Sequence, residues 1–271
     1  MNIFQLFGEI AIDNSKANEQ IDKTTKGAKK LASTMKSAFA TAGKAAVKAG
    51  KVIAAGVAAG TAAMGKLVKS ALDGYAGYEQ LEGGVKKLFG KDAQKLVVEY
   101  AKNAYKTAGL SANEYMDTVT SFSASMISSL GNDTVAAAKY ADIAITDMAD
   151  NANTFGTSME DIQNAYKGFS KQNYTMLDNL KLGYGGTQKE MERLLADASE
   201  ISKVKYNINS FSDIIEAIHV IQDNQGIAGT TAAEAEKTIS GSVNAAKAAW
   251  QNLLSGLADG NQDIDQLVGN L

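Results

Sequence analysis

The stretch FGTSMEDIQNAYKGFSKQNYTMLDNLKLGYGGTQKEMERLLADA, Phe155 to Ala198, decides the fold. It reads as helix, break, short helix, glycine turn, helix. Thr157 and Glu160 stand three apart before an apolar run, and so do Thr187 and Glu190. Each pair fits a capping box, in which the hydroxyl takes one orphan backbone N–H and the carboxylate takes another. Ile162, Ala165, Tyr166 and Phe169 then recur at helical spacing, as do Met191, Leu194, Leu195 and Ala198 after the second pair. Between the two sets, Gly183, Gly185 and Gly186 supply a turn with torsions that other residues resist. The stretch therefore predicts a helical hairpin-like unit with a fixed corner.

The same grammar continues on both sides. Leu96, Val97, Tyr100 and Ala104 form one helix face, with Asp92 as its expected cap and Gly109 as its close. Ser111 and Glu114 make a third capping box before Tyr115, Val119, Phe122 and Met126. Gly131 and Asn132 separate that helix from one carrying Val135, Ala138, Ile145 and Met148. Downstream, Ile214, Ile215, Ile218 and Ile221 mark another helix. Thr231 and Glu234 make a fourth box, ahead of Ile239, Val243, Ala246, Trp250, Leu253 and Leu257. The closing DIDQLVGNL allows one more short helical turn.

Composition agrees with an all-α chain. The 271 residues are 45% hydrophobic but only 7% aromatic, with alanine carrying much of the apolar share. Small side chains suit close helix–helix contact. There is no proline, so the commonest breaker of helix interiors is missing. There is no cysteine, which leaves neither a disulfide framework nor a thiolate metal site. The opening MNIFQLFGEI lacks the basic-then-apolar layout of a secretory signal.

Upstream of the body lies a different kind of chain. Phe4 to Ile12 alternates loosely and allows at most one short strand or an extended peptide. From Ala17 a seam of mostly small residues runs in alternating steps of four and three, through Ile21, Leu31, Met35, Gly56 and on to Ala63. That is a heptad pattern held for about seven repeats, the signature of a self-associating or partner-bound helix. Ile21, Leu31 and Met35 are its expected anchors, and Gly56 and Gly60 permit close contact. The run DGYAGYEQLEGGVKKLFG, Asp73 to Gly90, is a glycine-rich break that should end the long helix. The reading is thus a basic helical arm over 1–72 and an acidic helical body over 73–271.

The net charge of −3 conceals that division, since residues 1–70 balance at +7 and residues 71–271 at −10. A basic arm on an acidic body calls for an acidic partner surface, with Lys44, Lys48, Lys51, Lys66 and Lys69 as the contacts. A solvated lysine face is the plain alternative. Within the arm, Val52 to Gly65 is uncharged, and Gly56 and Gly60 have the GxxxG spacing of close-packed membrane helices. The run is shorter than the roughly 20 residues that span hydrocarbon. It leaves open a second function class, a membrane-active pore-forming helix with conditional insertion.

Chemistry-bearing patterns are sparse. His219 is the single histidine and stands one turn from Glu216 and from Asp223. One imidazole without a second histidine or a cysteine fits a partly buried or surface residue better than a metal site or acid–base pair. The loop GYGGTQK lacks the spacing of a phosphate loop, and no GxSxG elbow occurs. Tyr166 and Phe169, interleaved with lysines, could stack on bases, but their helical spacing points them to the core. The reading is a non-enzyme with no catalytic residue, metal or cofactor.

The run NAYKGFSKQNYTMLDNLKLGYGGTQKEMERLL closely resembles the signature of tail tape-measure proteins from long-tailed phages and prophages of Gram-positive bacteria. The opening FGEIAIDNSKANEQIDKTTKGAKKL is similar to the amino-terminal start of the same family. The resemblance implies a structural virion protein, made in the bacterial cytoplasm and housed in the tail lumen. It implies helical copies bundled inside the growing tube, with chain length limiting tube polymerisation. It also implies tail-tube and tail-assembly chaperone proteins as partners, contact with a host membrane or phage DNA, and exit ahead of the genome at infection. Family members are longer, so a fragment, a split gene or a remnant stays open.

Overall fold

The computed structural model describes residues 60–235, 239–259 and 262–270. Every regular element among them is helical: α1 Gly60–Thr107, α2 Ala112–Ser129, α3 Thr134–Phe155, α4 Met159–Phe169, a 3-10 turn Leu177–Leu180, α5 Gln188–Ser202, α6 Phe211–Asn224, α7 Thr230–Ala235, α8 Ile239–Ala258 and α9 Ile264–Gly269. The all-α expectation holds. The strand at Phe4 to Ile12 and the heptad seam up to Ala59 lie outside the described residues.

The glycine-rich run is helical as far as Phe89, and the helix is interrupted only at the run's last residue. α1 runs through Asp73 to Gly90 and on to Thr107, with a single kink at Gly90 (φ 75°, ψ 179°). Helical glycine costs only about 1 kcal/mol against alanine, so the buried neighbours of the run outweigh its composition. Gly90 is different in kind, because its positive φ is closed to most L-residues. Asp92 therefore lies in the first turn after a kink and not at a free helix start. Beyond the kink, Ala93, Val97, Ala101 and Ala104 are all buried, the i, i+4 face of an amphipathic helix.

Contacts divide the described residues into two compact units. One comprises 60–78 with the carboxyl-terminal residues from Trp250. Within it, Gly74 approaches Ser255 so closely that a Cβ would stand 2.9 Å from the serine hydroxyl, and Tyr75 and Tyr78 stack at 6.5 Å.

The other unit, Glu79–Ala249, holds the larger core. Here α3 is central: it packs on α2, α4, α6, α7 and the 3-10 turn, while α5 packs on α6. Tyr115, Met116, Met126, Ile145, Met148, Ile162, Tyr166, Phe169 and Met191 are almost wholly buried. Phe122 meets Phe211 edge-on at 6.0 Å, and Phe169 lies between Tyr166 and Tyr174.

Capping follows the chain grammar with two displacements. Ser111 and Glu114 form the full reciprocal box. Ahead of α4 the cap is Ser158 with Asp161, one residue beyond the expected Thr157 and Glu160; the Thr157 hydroxyl instead donates to the Asn179 carbonyl. At α5 Thr187 caps Glu190 N–H as expected, but the Glu190 carboxylate reaches past it to Gly185 N–H. Thr231 is not an N-cap at all, since it lies inside α7 and its helix start is held by another helix. In α8 Ala248, Ala249 and Leu253 are buried, whereas Ala246 and Trp250 of the expected seam are exposed.

Candidate functional site

Local physics builds the resemblance-bearing corner first. α4 ends where Gly168 O accepts from Lys171 N–H and Asn173 N–H. Asn173 Oδ1 then accepts from Thr175 N–H and from its hydroxyl, and the Tyr174 hydroxyl donates to the Ile208 carbonyl. The chain crosses itself at Gly186, where any Cβ would run into the Thr175 carbonyl oxygen. Only glycine fits there. Arg193 closes the far side: its guanidinium lies 4.3 Å over the Tyr184 ring, donates to Gly183 O at 2.8 Å and pairs with Glu190. The Tyr184 hydroxyl donates to Asp197 at 2.8 Å, and burial, followed by that bond, drives its pKa far above the usual phenol range.

A polar stripe on α3 holds this corner against the rest of the unit. Asp147, Asp150 and Asn151 are 1%, 0% and 0% exposed, in a region where charge is normally excluded. With Thr154 they stand at i, i+3, i+4 and i+7, so one helix face presents all four. Each has a different client. Asp150 accepts from Gly229 N–H at 2.6 Å and Thr231 N–H at 2.8 Å, capping α7 from across the core. Asn151 donates to the Leu180 carbonyl at 2.8 Å, and Thr154 meets the Thr230 hydroxyl at 3.2 Å. Asp147 lies 2.8 Å from His219 Nδ1 on α6.

The Asp147–His219 pair is electrostatically loaded. Burial pushes the Asp147 carboxyl up to about 6, with Asp150 and Asp223 adding to the rise and His219 opposing it. The bond to Asp147 raises His219, against a partial desolvation cost, and Asp223 and Asp150 raise it further. Tyr166, whose hydroxyl feels Asp147, is raised well above its ordinary value mainly by complete burial. Asp147 Oδ2, Asn151 Oδ1, the Tyr166 hydroxyl and the Gln222 amide are buried without a hydrogen-bond partner among the described residues. Each such group costs stability.

Of the residues singled out from sequence, Ile21, Leu31, Met35, Gly56, Lys44, Lys48 and Lys51 lie outside the described residues. Gly60, Lys66 and Lys69 fall in α1, with side chains that are likewise outside them. His219 is the exception: it is partly exposed and ion-paired, the bland reading with a buried carboxylate attached. Sequence reasoning missed Asp147, Asp150, Asn151 and Thr154. The available signal was DMADNANT, polar residues at helical spacing inside an otherwise alanine-rich helix.

Chemically, the stripe is a clip. It fixes the start of α7, the 3-10 turn and α6 to one helix, through the Asp150 and Asp147 carboxylates at α7 and α6 and through the neutral Asn151 amide at the 3-10 turn. Among the described residues no group of three metal-ligating side chains gathers, and His219 Nε2 has no hydrogen-bonded nucleophile. Two grooves flank the unit. One of about 460 Å³ is rimmed by Ser125, Ser128, Ser170 and Asn209; the other, of about 350 Å³, by Leu110, Met159, Thr231 and Asn244. No described helix is long and apolar enough to cross a membrane. Comparison with protein-family models, curated proteins and solved structures returns no match.

Proposed function

We propose that this chain is a structural component of a phage tail, the amino-terminal region of a tape-measure protein. The observation that carries the reading is the run Asn164 to Leu195, which bears the family resemblance. Its residues have identifiable physical jobs: Tyr166 and Phe169 in the core, Gly186 at a chain crossing, Arg193 and Glu190 across the loop. A signature whose members each serve one folded corner is hard to reach by chance composition.

The physical logic of a ruler also supports it. An α-helix advances about 1.5 Å per residue, so contour length can encode distance. On this reading the basic arm bundles with copies of itself inside the tube and faces an acidic lumen, while tail-assembly chaperones hold it before polymerisation. The helical body organises one end of the bundle.

Purified tails from cells expressing this gene provide the test. Peptides of the chain should appear in tail fractions at a few copies per tube, and antibodies should reach them only after the tube is opened. Their absence from intact tails would remove the proposal.

A further inference from the structure

We propose that the solvent face of α1 beyond its kink is a docking ridge for the phosphate backbone of duplex nucleic acid. Lys91, Lys95, Lys102 and Lys106 are all exposed. Steps of four, seven and four residues put them on one helix face, opposite the buried Ala93, Val97, Ala101 and Ala104. The four ammonium groups mark out a line of about 22 Å.

This is not an ordinary solvated face. Such faces intersperse opposite charges at i, i+4, where they pair. Here Asp92 and Glu99 stand at those spacings from Lys95 and Lys102, yet none of the four lysines has a carboxylate within 4 Å among the described residues. Lysines one turn apart, 91 with 95 and 102 with 106, repel each other and work against the helix. Lys106 is compensated by its place in the last turn, where the helix dipole favours cations, and it lies 5.3 Å over the Tyr105 ring. Lys95 and Lys102 are offset only by Asp92 and Glu99, three or four residues away and not in ion-pair contact with them. All this occurs in a stretch, 71–271, whose balance is −10, so the ridge is a local reversal of sign.

Chemistry then selects the partner. Centres of protein interfaces are rich in aromatic residues and arginine and poor in lysine. The ridge has only lysine, and the chain's one arginine is engaged at the corner. Flexible point charges without a shaped apolar centre suit a partner that is itself a regular line of charge. Single strands are held by exposed aromatics that stack on bases, and the ridge carries none. A duplex needs only the cations. The inference does not rest on the tail-assembly reading and can fail or stand without it.

The test is fluorescence anisotropy of the full chain with a labelled random-sequence duplex, across a series of salt concentrations. Affinity should fall with salt, and K91Q/K95Q/K102Q/K106Q should flatten the log–log slope by about 3 to 4, near 0.9 per lost phosphate contact. Glutamine keeps helix propensity, so circular dichroism should be unchanged. A wild-type chain that does not bind the duplex at low salt overturns the proposal. So does a variant with the wild-type slope, which would assign binding to lysines elsewhere. Competition by polyglutamate as effective as by duplex at equal charge would assign the ridge to an acidic protein and overturn it too.

Discussion

Replacing Asp150 with alanine should cost far more than removal of any ordinary helix cap. The carboxylate is fully buried and accepts from Gly229 N–H at 2.6 Å and Thr231 N–H at 2.8 Å. Hydrogen bonds to a charged group contribute about 1.5–3 kcal/mol each, so two lost bonds amount to roughly 3–6 kcal/mol. Removing a buried negative charge returns part of its desolvation cost, which brings the net loss to about 3 kcal/mol. α7 is six residues long and cannot hold itself as a free helix, so the damage should begin there. Urea unfolding followed by far-ultraviolet circular dichroism gives the global loss, and amide exchange over 227–235 gives the local one. Asp161→Ala, which removes the exposed carboxylate that accepts from the Ser158 hydroxyl but keeps the backbone cap bond, is the control, with an expected loss of about 0.3–1 kcal/mol. Equal losses for Asp150→Ala and Asp161→Ala, or unchanged exchange over 227–235, would refute the cross-core cap.

Three further outcomes follow from the same geometry. Asp147 and His219 both bind protons more tightly folded than unfolded, so their contribution is fully present at low pH. It is lost first as pH rises from 3.8 through about 6, and then above 6.5 as His219 deprotonates. His219→Gln keeps a donor for Asp147 but removes the cation. Its loss relative to wild type should be about 1 kcal/mol greater near pH 6 than near pH 9, and a pH-independent difference would count against the pair. Gly186→Ala should cost about 2–3 kcal/mol by urea unfolding because of the Thr175 carbonyl, whereas Gly185→Ala, facing only Glu190 Cγ at 3.5 Å, should cost under about 1 kcal/mol. Parity of the two would place the chain crossing elsewhere.

What sequence made legible, and what it hid, divides by the range of the interaction. Apolar spacing located Tyr166, Phe169, Met191 and Leu194 in the core because a helix face is a local property. Ser111 with Glu114 was legible for the same reason, three residues apart in one chain segment. The α7 cap was not, since its carboxylate comes from Asp150, some eighty residues upstream. Thr231 looked like a cap only because its true partner was invisible. The run Asp73 to Gly90 was legible only in its last residue, where the helix is interrupted; its other glycines carry a weak local penalty that packing overrides, as at Gly74 against Ser255. Exposure of Trp250 likewise reflects which side of α8 found a neighbour, a tertiary choice that seam-counting does not make.

On the proposed tape-measure role, helical contour length sets tail length. In-frame deletion of three heptads from the arm, with the register kept, removes about 21 residues and so, for the helix that the heptad pattern predicts, about 32 Å of length. Electron micrographs of tails assembled on the shortened protein should show tubes shorter by that amount, with insertion of the same length giving the opposite change. Tails of unaltered length in both variants would contradict it.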